Sequence, residues 1–177
     1  MDAYRAIVSK RDTRSFDPSR PLPEDVLGRI VQAGRMAGSA KAAEPVRLIV
    51  VRDQARKEGV AACGRFTPHL PPAAAVVVLV LVPEADQPEG QFAYFRGPFD
   101  AGRAAQNMML AAWAEGVASC PATLHDEACA REALGLPPGH YAINVIAFGY
   151  PAGADPTTGR RPRMPVAEYV SQERWQA

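Results

Sequence analysis

The amino-acid sequence predicts an α+β fold in a single domain, residues 1–177. Three observations carry that expectation. Apolar, β-branched runs at Leu48-Ile49-Val50-Val51, Ala74 to Val82 and Ala142 to Phe148 read as strands with covered faces. Segments with apolar residues at helical spacing lie before, between and after them. Finally, 177 residues suffice for one sizeable core, and no internal repeat or composition break marks a boundary.

The elements follow in order. Asp2 to Lys10 reads as a short helix with Tyr4, Ala6 and Ile7 on one side, and Phe16 beyond it as a buried residue. Pro23 suits the first turn of a second helix, with Glu24 and Asp25 at its positive end. Val26, Leu27, Ile30, Val31 and Gly34 continue that helix to about Met36. Gly38-Ser39-Ala40-Lys41 then starts a loop, and Arg52 to Cys63 reads as an exposed helix. Pro83 to Pro98 is the least regular stretch and carries Phe92, Tyr94 and Phe95, with Phe99 just beyond. Those aromatics are core anchors, pocket walls or partner contacts. Asp100 is expected to cap a long Ala-rich helix that ends at Gly116. Val117 to Cys120 re-enters the core, His125-Asp126-Glu127 opens a short helix, and Gly149-Tyr150-Pro151 stops the last strand.

Composition excludes several classes. The opening residues lack a signal-peptide pattern, and the most apolar run is about half a membrane span. Cys63, Cys120 and Cys129 form neither an even disulfide framework nor a paired metal motif, and the three histidines are isolated. We therefore expect a reducing, cytoplasmic setting and no metal. Net charge is only +1, yet Lys10-Arg11-Asp12-Thr13-Arg14 and Arg160-Arg161-Pro162-Arg163 are locally basic. Paired guanidinium forks match phosphate oxygens, so a small phosphorylated ligand fits better than a nucleic-acid backbone, which needs a broad positive surface.

Six short motifs in one order make the chain resemble the FMN-dependent nitroreductase family. They are Lys10-Arg11-Asp12-Thr13-Arg14-Ser15-Phe16, the Ala37 to Val46 loop, Asp100-Ala101-Gly102-Arg103-Ala104-Ala105-Gln106-Asn107, Ala114-Glu115-Gly116-Val117, Gly149-Tyr150-Pro151 and Arg161-Pro162-Arg163. The resemblance implies a three-layer sandwich: a central, mostly antiparallel sheet flanked by helices, in an intertwined homodimer with FMN at the interface. It places Lys10, Arg14, Arg161 and Arg163 at the phosphate and runs Arg11, Asp12 and Thr13 past the ribityl chain and ring edge. Gly38, Ser39, Ala40 and Lys41 would approach the partner's flavin, while backbone N–H groups around Ala122, Thr123 and Leu124, just after Pro121, would meet the ring.

The activity so implied is NAD(P)H-dependent reduction of nitroaromatics, quinones or a similar electrophile, by hydride transfer through flavin N5. No side chain is then catalytic in its own right, because the cofactor carries the chemistry. Phe92, Tyr94 and His69 are the substrate candidates. The chain departs from the family pattern at Ala42, Glu44 and Val46, where Asn, Gln and Trp are usual, at Gly38 for Pro and at Asp12 for Ser. Those departures keep open a non-redox FMN-binding protein and a flavin-destructase-like enzyme. A regulatory anion or nucleotide site is the reading without the resemblance.

Overall fold

The strand β2, Ala75–Leu81, centres the fold because all seven of its residues are apolar and buried. Its side chains alternate between two cores. Val76, Val78 and Val80 face one cluster with Val60, Cys63, Ala130, Val145 and Ala147; Ala75, Val77, Leu79 and Leu81 face another with Leu27, Ile30, Ala104, Met108 and Phe148. This two-sided burial explains why the strand reads as a continuous apolar run rather than an alternating one. The structure is a computed structural model that describes residues 1–83, 91–153 and 163–175, with backbone alone at residue 40 and residues 91–95.

Around β2 lie β1 (Val46–Val51), β3 (Ala118–Ala122) and β4 (Tyr141–Gly149), in the order β1-β2-β4-β3 with every pairing antiparallel. One face is covered by α2 (Glu24–Arg35) and α4 (Gln91–Ala114), the other by α3 (Gln54–Ala62) and α5 (Glu127–Leu134). The result is the expected three-layer sandwich. Helix α1 (Ala3–Ser9) lies against α4, and α6 (Val166–Tyr169) is a single exposed turn.

Local chemistry sets the ends of these elements. Asp2, Asp53 and Asp126 accept backbone N–H bonds at the starts of α1, α3 and α5. Gly116 and Gly135, at φ 74° and 63°, close α4 and α5 in the left-handed conformation. Gly34 lets α2 approach α4, since a Cβ there would sit 2.7 Å from Met108 Cγ. The Arg29 guanidinium forks onto Glu115 at 2.7 and 3.1 Å, joining α2 to the end of α4 and holding that carboxylate below its usual pKa.

The structure corrects four expectations. Asp100 does not cap the long helix: α4 already begins at Gln91, Pro98 lies inside it, and Asp100 is buried within an i,i+3 ion pair to Arg103. Proline forfeits one helical hydrogen bond, but Gly97 lets the α4 backbone pack against Leu81, and this packing outweighs the local preference. Strand β1 is not covered on both faces; it is a sheet edge with Val50 exposed. The helix after Arg52 is not wholly exposed, because Val60 is core and the buried Lys57 donates to the Ala73 carbonyl at 2.6 Å. Finally, Cys63 and Cys129 form a disulfide between the end of α3 and α5, and the buried Cys120 stands outside that bond. Two cysteines 66 residues apart in an odd set gave no spacing signal.

Gly149 provides a stability test. A Cβ there would lie 3.0 Å from Phe16 Cδ1 and 3.1 Å from the Ala74 nitrogen. Overpacking of this kind costs about 1–3 kcal/mol. Gly149→Ala should therefore lower the denaturant midpoint accordingly, and an unchanged midpoint would refute the close packing of Phe16 here.

Candidate cofactor site

The site begins with the segment that follows α1. Asp12 bridges Ser119 of β3 in parallel, and the Thr13 N–H donates to the Ser119 carbonyl at 3.1 Å. Three residues on, Phe16 bridges Pro151, the Ala152 N–H donates to the Ser15 carbonyl and the Asp17 N–H to that of Tyr150. The segment is thus stitched to the β3 edge and to the turn after β4. Thr13 and Phe16 point into the protein, while Arg14 between them is exposed. Buried side chains on either side, on a pinned backbone, fix where that guanidinium emerges.

Neighbouring charges divide their work. Lys10 is mostly buried, ion-paired to Asp12, with Nζ 3.4 Å from Met109 Sδ. Arg11 turns back to donate to the Val8 and Lys10 carbonyls at 3.1 and 2.6 Å, satisfying the end of α1. Arg14 is therefore the exposed cation of the motif.

The loop between α3 and β2 adds His69, which the sequence placed in a loop and the structure buries, at 4 % exposure. Neither ring nitrogen makes a hydrogen bond of good geometry. Burial is the main cause that pushes its pKa below the ordinary value, and the Arg14 charge adds to it; the Cys120 backbone and Asp12 oppose. A buried imidazole without a hydrogen bond of good geometry, beside an exposed Arg, is an incomplete polar arrangement.

The same loop builds the rim. Gly64 presses on Thr123, whose carbonyl oxygen would be 2.9 Å from a Cβ at that position. The N–H groups of His125 and Asp126 donate to the Cys63 carbonyl at 2.9 and 3.0 Å, and the Arg65 N–H donates to His125 Nδ1 at 3.2 Å. Phe66, exposed at the surface, meets the His125 ring edge-on at 5.9 Å. Pro121 and Ala122 end β3 half-buried, Thr123 is exposed and Leu124 turns inward. Thus the structure brings Asp12, Thr13, Arg14, His69 and Pro121 to Leu124 together. Phe66 was not singled out in the sequence, because a lone Phe between Arg and Thr carries no periodicity.

Other expected residues lie elsewhere. Gly38, Ser39 and Lys41 flank the start of β1: the Ser39 hydroxyl accepts from the Glu44 N–H at 2.8 Å, and Gly38 lies under the Arg103 guanidinium. Lys41, Ala42 and Glu44 all adopt positive φ, 55°, 53° and 46°. Non-glycine residues in that region carry backbone strain, which proteins concentrate at ligand-binding segments. A cavity of about 350 Å³ opens beside them, lined among others by Gly38, Ser39, Glu44, Arg47 and Asp100. This cavity is at the β1 edge, whereas Arg14 is beyond β3 at the opposite edge. Four inter-strand steps separate β1 from the Asp12 segment, about 19 Å at ordinary strand spacing. Within one chain the two halves do not meet. Arg163 is exposed, while Arg161 and the side chains of Phe92 and Tyr94 lie outside the described residues; so does the side chain of Ala40.

A protein of Archaeoglobus fulgidus, provisionally named NADH dehydrogenase/NAD(P)H nitroreductase, is 27% identical over 154 residues, covering 85% of this chain and 86% of its own. A Thermus thermophilus protein named NADH dehydrogenase is 30% identical over 182 residues, covering 86% and 88%. Among solved structures, the NADPH:FMN oxidoreductase of Vibrio harveyi complexed with NAD+ superposes with a TM-score of 0.88 at 23% identity, over 98% of this chain and 78% of that one. The Nitroreductase family profile matches residues 7–76 and 65–150, a span that takes in the Arg14 segment, the His69 loop and β3, and on that match the chain belongs to the nitroreductase family.

Proposed function

We propose that this protein is an FMN-dependent, NAD(P)H-using oxidoreductase that reduces nitroaromatics, quinones or a similar electrophile. In this proposal it works as a homodimer with FMN between the copies. Family membership carries the coarser statement, a flavin-dependent NAD(P)H oxidoreductase. The Vibrio harveyi neighbour supports the choice of FMN and of a visiting nicotinamide.

The observation that carries the reading is the buried His69 ring, without a hydrogen bond of good geometry and within the field of the exposed Arg14. FMN fits that donor set, since its phosphate is anionic and the pyrimidine edge of its ring offers acceptors. FMN held there would supply the hydride-transfer chemistry between a nicotinamide and the acceptor. The chain's own task is to hold, orient and shield. Arg14 supplies a fixed positive charge at the β3 edge, favouring an anionic ligand. Lys10 is kept in place by Asp12 and, with Arg161 and Arg163, completes the proposed phosphate grip. Pro121 to Leu124 offer backbone groups beside it, and the exposed Phe66, met edge-on by His125, supplies an aromatic surface suited to planar acceptors.

The second copy enters through the sheet's width. Gly38 to Lys41 reach the ligand only if they come from a partner, because their own Arg14 lies across the sheet. Large apolar side chains left exposed on one chain, Tyr4, Ile7, Phe99, Tyr169 and Trp175, give such a partner a surface to cover.

Anaerobic titration tests the reading. Protein reconstituted with FMN should lose its flavin absorbance on addition of NADH or NADPH and regain it when a quinone or nitroaromatic is added. Protein that ignores FMN would sink the proposal. Bound flavin that neither nucleotide bleaches would favour the non-redox binding protein.

A further inference from the structure

The loop from Gly64 to Ala74 holds one group that packing alone does not explain. His69 is 4 % exposed and neither ring nitrogen makes a hydrogen bond of good geometry, although a buried polar group ordinarily finds one. A core position would be better filled by an apolar side chain. The groups that face it are Arg14 and Asp12 from the segment after α1, and the backbone of Cys120 from β3. The Cys120 thiol is committed toward the Pro121 carbonyl, at 3.6 Å. Without a ligand, the imidazole has the Arg14 charge near it, opposed by the smaller effect of Asp12, and little solvent to stabilise a second positive charge.

We propose that His69 takes up a proton when the anionic group of the ligand settles against Arg14, making cofactor binding at this site proton-linked. The inference rests on the flavin reading above and deepens it. An anion within about 4–6 Å of an imidazole favours its charged form. Protonation then turns both ring nitrogens into donors, which the ligand and the neighbouring backbone can satisfy. The balance is simple: one proton passes from solvent to His69 for each ligand bound, and none is released on the protein side.

The sign follows. Ligand-free His69 titrates below the ordinary histidine value, for burial and Arg14 both oppose its charge. In the bound state its pKa is higher, so affinity is greatest at low pH and falls as pH rises through the bound-state value. Each unit of difference between the two states reads as about a tenfold fall in affinity across that window. Without ligand, the depressed pKa means that the unfolded chain binds the proton first. The free protein should therefore lose stability as pH drops below about 6.5, the unfolded histidine value.

Histidine ring resonances followed by NMR test this in the unaltered protein, where His69 is one of three histidines and His69→Gln assigns it. The expected result is a low pKa in the free protein and a higher one with saturating FMN. Equal values in the two states overturn the proposal. Riboflavin and inorganic phosphate, used as separate probes, locate the source: a shift with phosphate alone assigns it to the phosphate group, and one with riboflavin alone to the ring. Either shift supports proton linkage; no shift with any probe contradicts it. In parallel, FMN affinity from pH 5.5 to 8.5 should fall in the wild type relative to His69→Gln, a comparison that cancels titration of the phosphate itself, whose second pKa is about 6. If FMN binds at no pH, the cofactor assignment fails; if it binds without moving His69, only this inference fails.

Discussion

Arg14→Glu is expected to lower the affinity for FMN by about 100-fold or more while leaving the fold intact. Arg14 is exposed and held by backbone pairing on both sides, so reversing its charge removes no packing. A hydrogen bond to a charged group contributes about 1.5–3 kcal/mol, and a carboxylate in its place adds repulsion. Equilibrium dialysis or fluorescence quenching measures the effect, with far-UV circular dichroism and the thermal midpoint as fold controls. A correctly folded variant that binds FMN as tightly as the wild type would remove Arg14 from the site. Arg14→Lys should fall between the two, since an ammonium keeps the charge but loses the planar fork.

Lys41→Glu is the second substitution with a large expected effect, and its logic differs. Lys41 is exposed on a loop beside β1, about 19 Å of sheet away from the Asp12 segment of its own chain by ordinary strand spacing. In an isolated chain a charge change that far away is largely screened, with a Debye length near 8 Å at physiological salt. If a partner's loop closes over the flavin, the same change places a carboxylate beside an anionic ligand, and affinity should drop roughly tenfold, the effect of one charged contact. An unchanged affinity would mean that this loop does not approach the ligand from either copy.

How much of this was legible depended on the kind of signal. The all-apolar β2 announced its burial, and Gly116 and Asp126 marked helix ends through backbone geometry and capping chemistry. The ordered motifs pointed to the family, and the Arg14 segment and the Pro121 to Leu124 stretch do lie side by side. What stayed hidden came from tertiary context. Pro98 reads as a helix stop, yet α4 runs through it because its backbone packs on Leu81. The apolar Leu48 to Val51 run reads as an interior strand, but topology leaves it at an edge. The burial of His69 and the Cys63–Cys129 pairing depend on how α3, its following loop and α5 meet, which no local pattern records. Phe66 gains its meaning only from His125, nearly 60 residues away in sequence.

The central claim is that one flavin site is built from two chains. Mixed dimers measure this most directly. Chains carrying Arg14→Glu and chains carrying Lys41→Glu are each expected to hold little flavin alone. Unfolded together and refolded as a mixture, they should form heterodimers in which one site collects both changes and the other collects neither. Random pairing puts half of the chains in heterodimers with one intact site of two, so about a quarter of wild-type flavin content should return at an FMN concentration that fills intact sites but not altered ones. Recovery near that level, absent from either variant refolded alone, is the predicted result. A mixture that binds no more flavin than the two variants refolded separately would contradict a shared site.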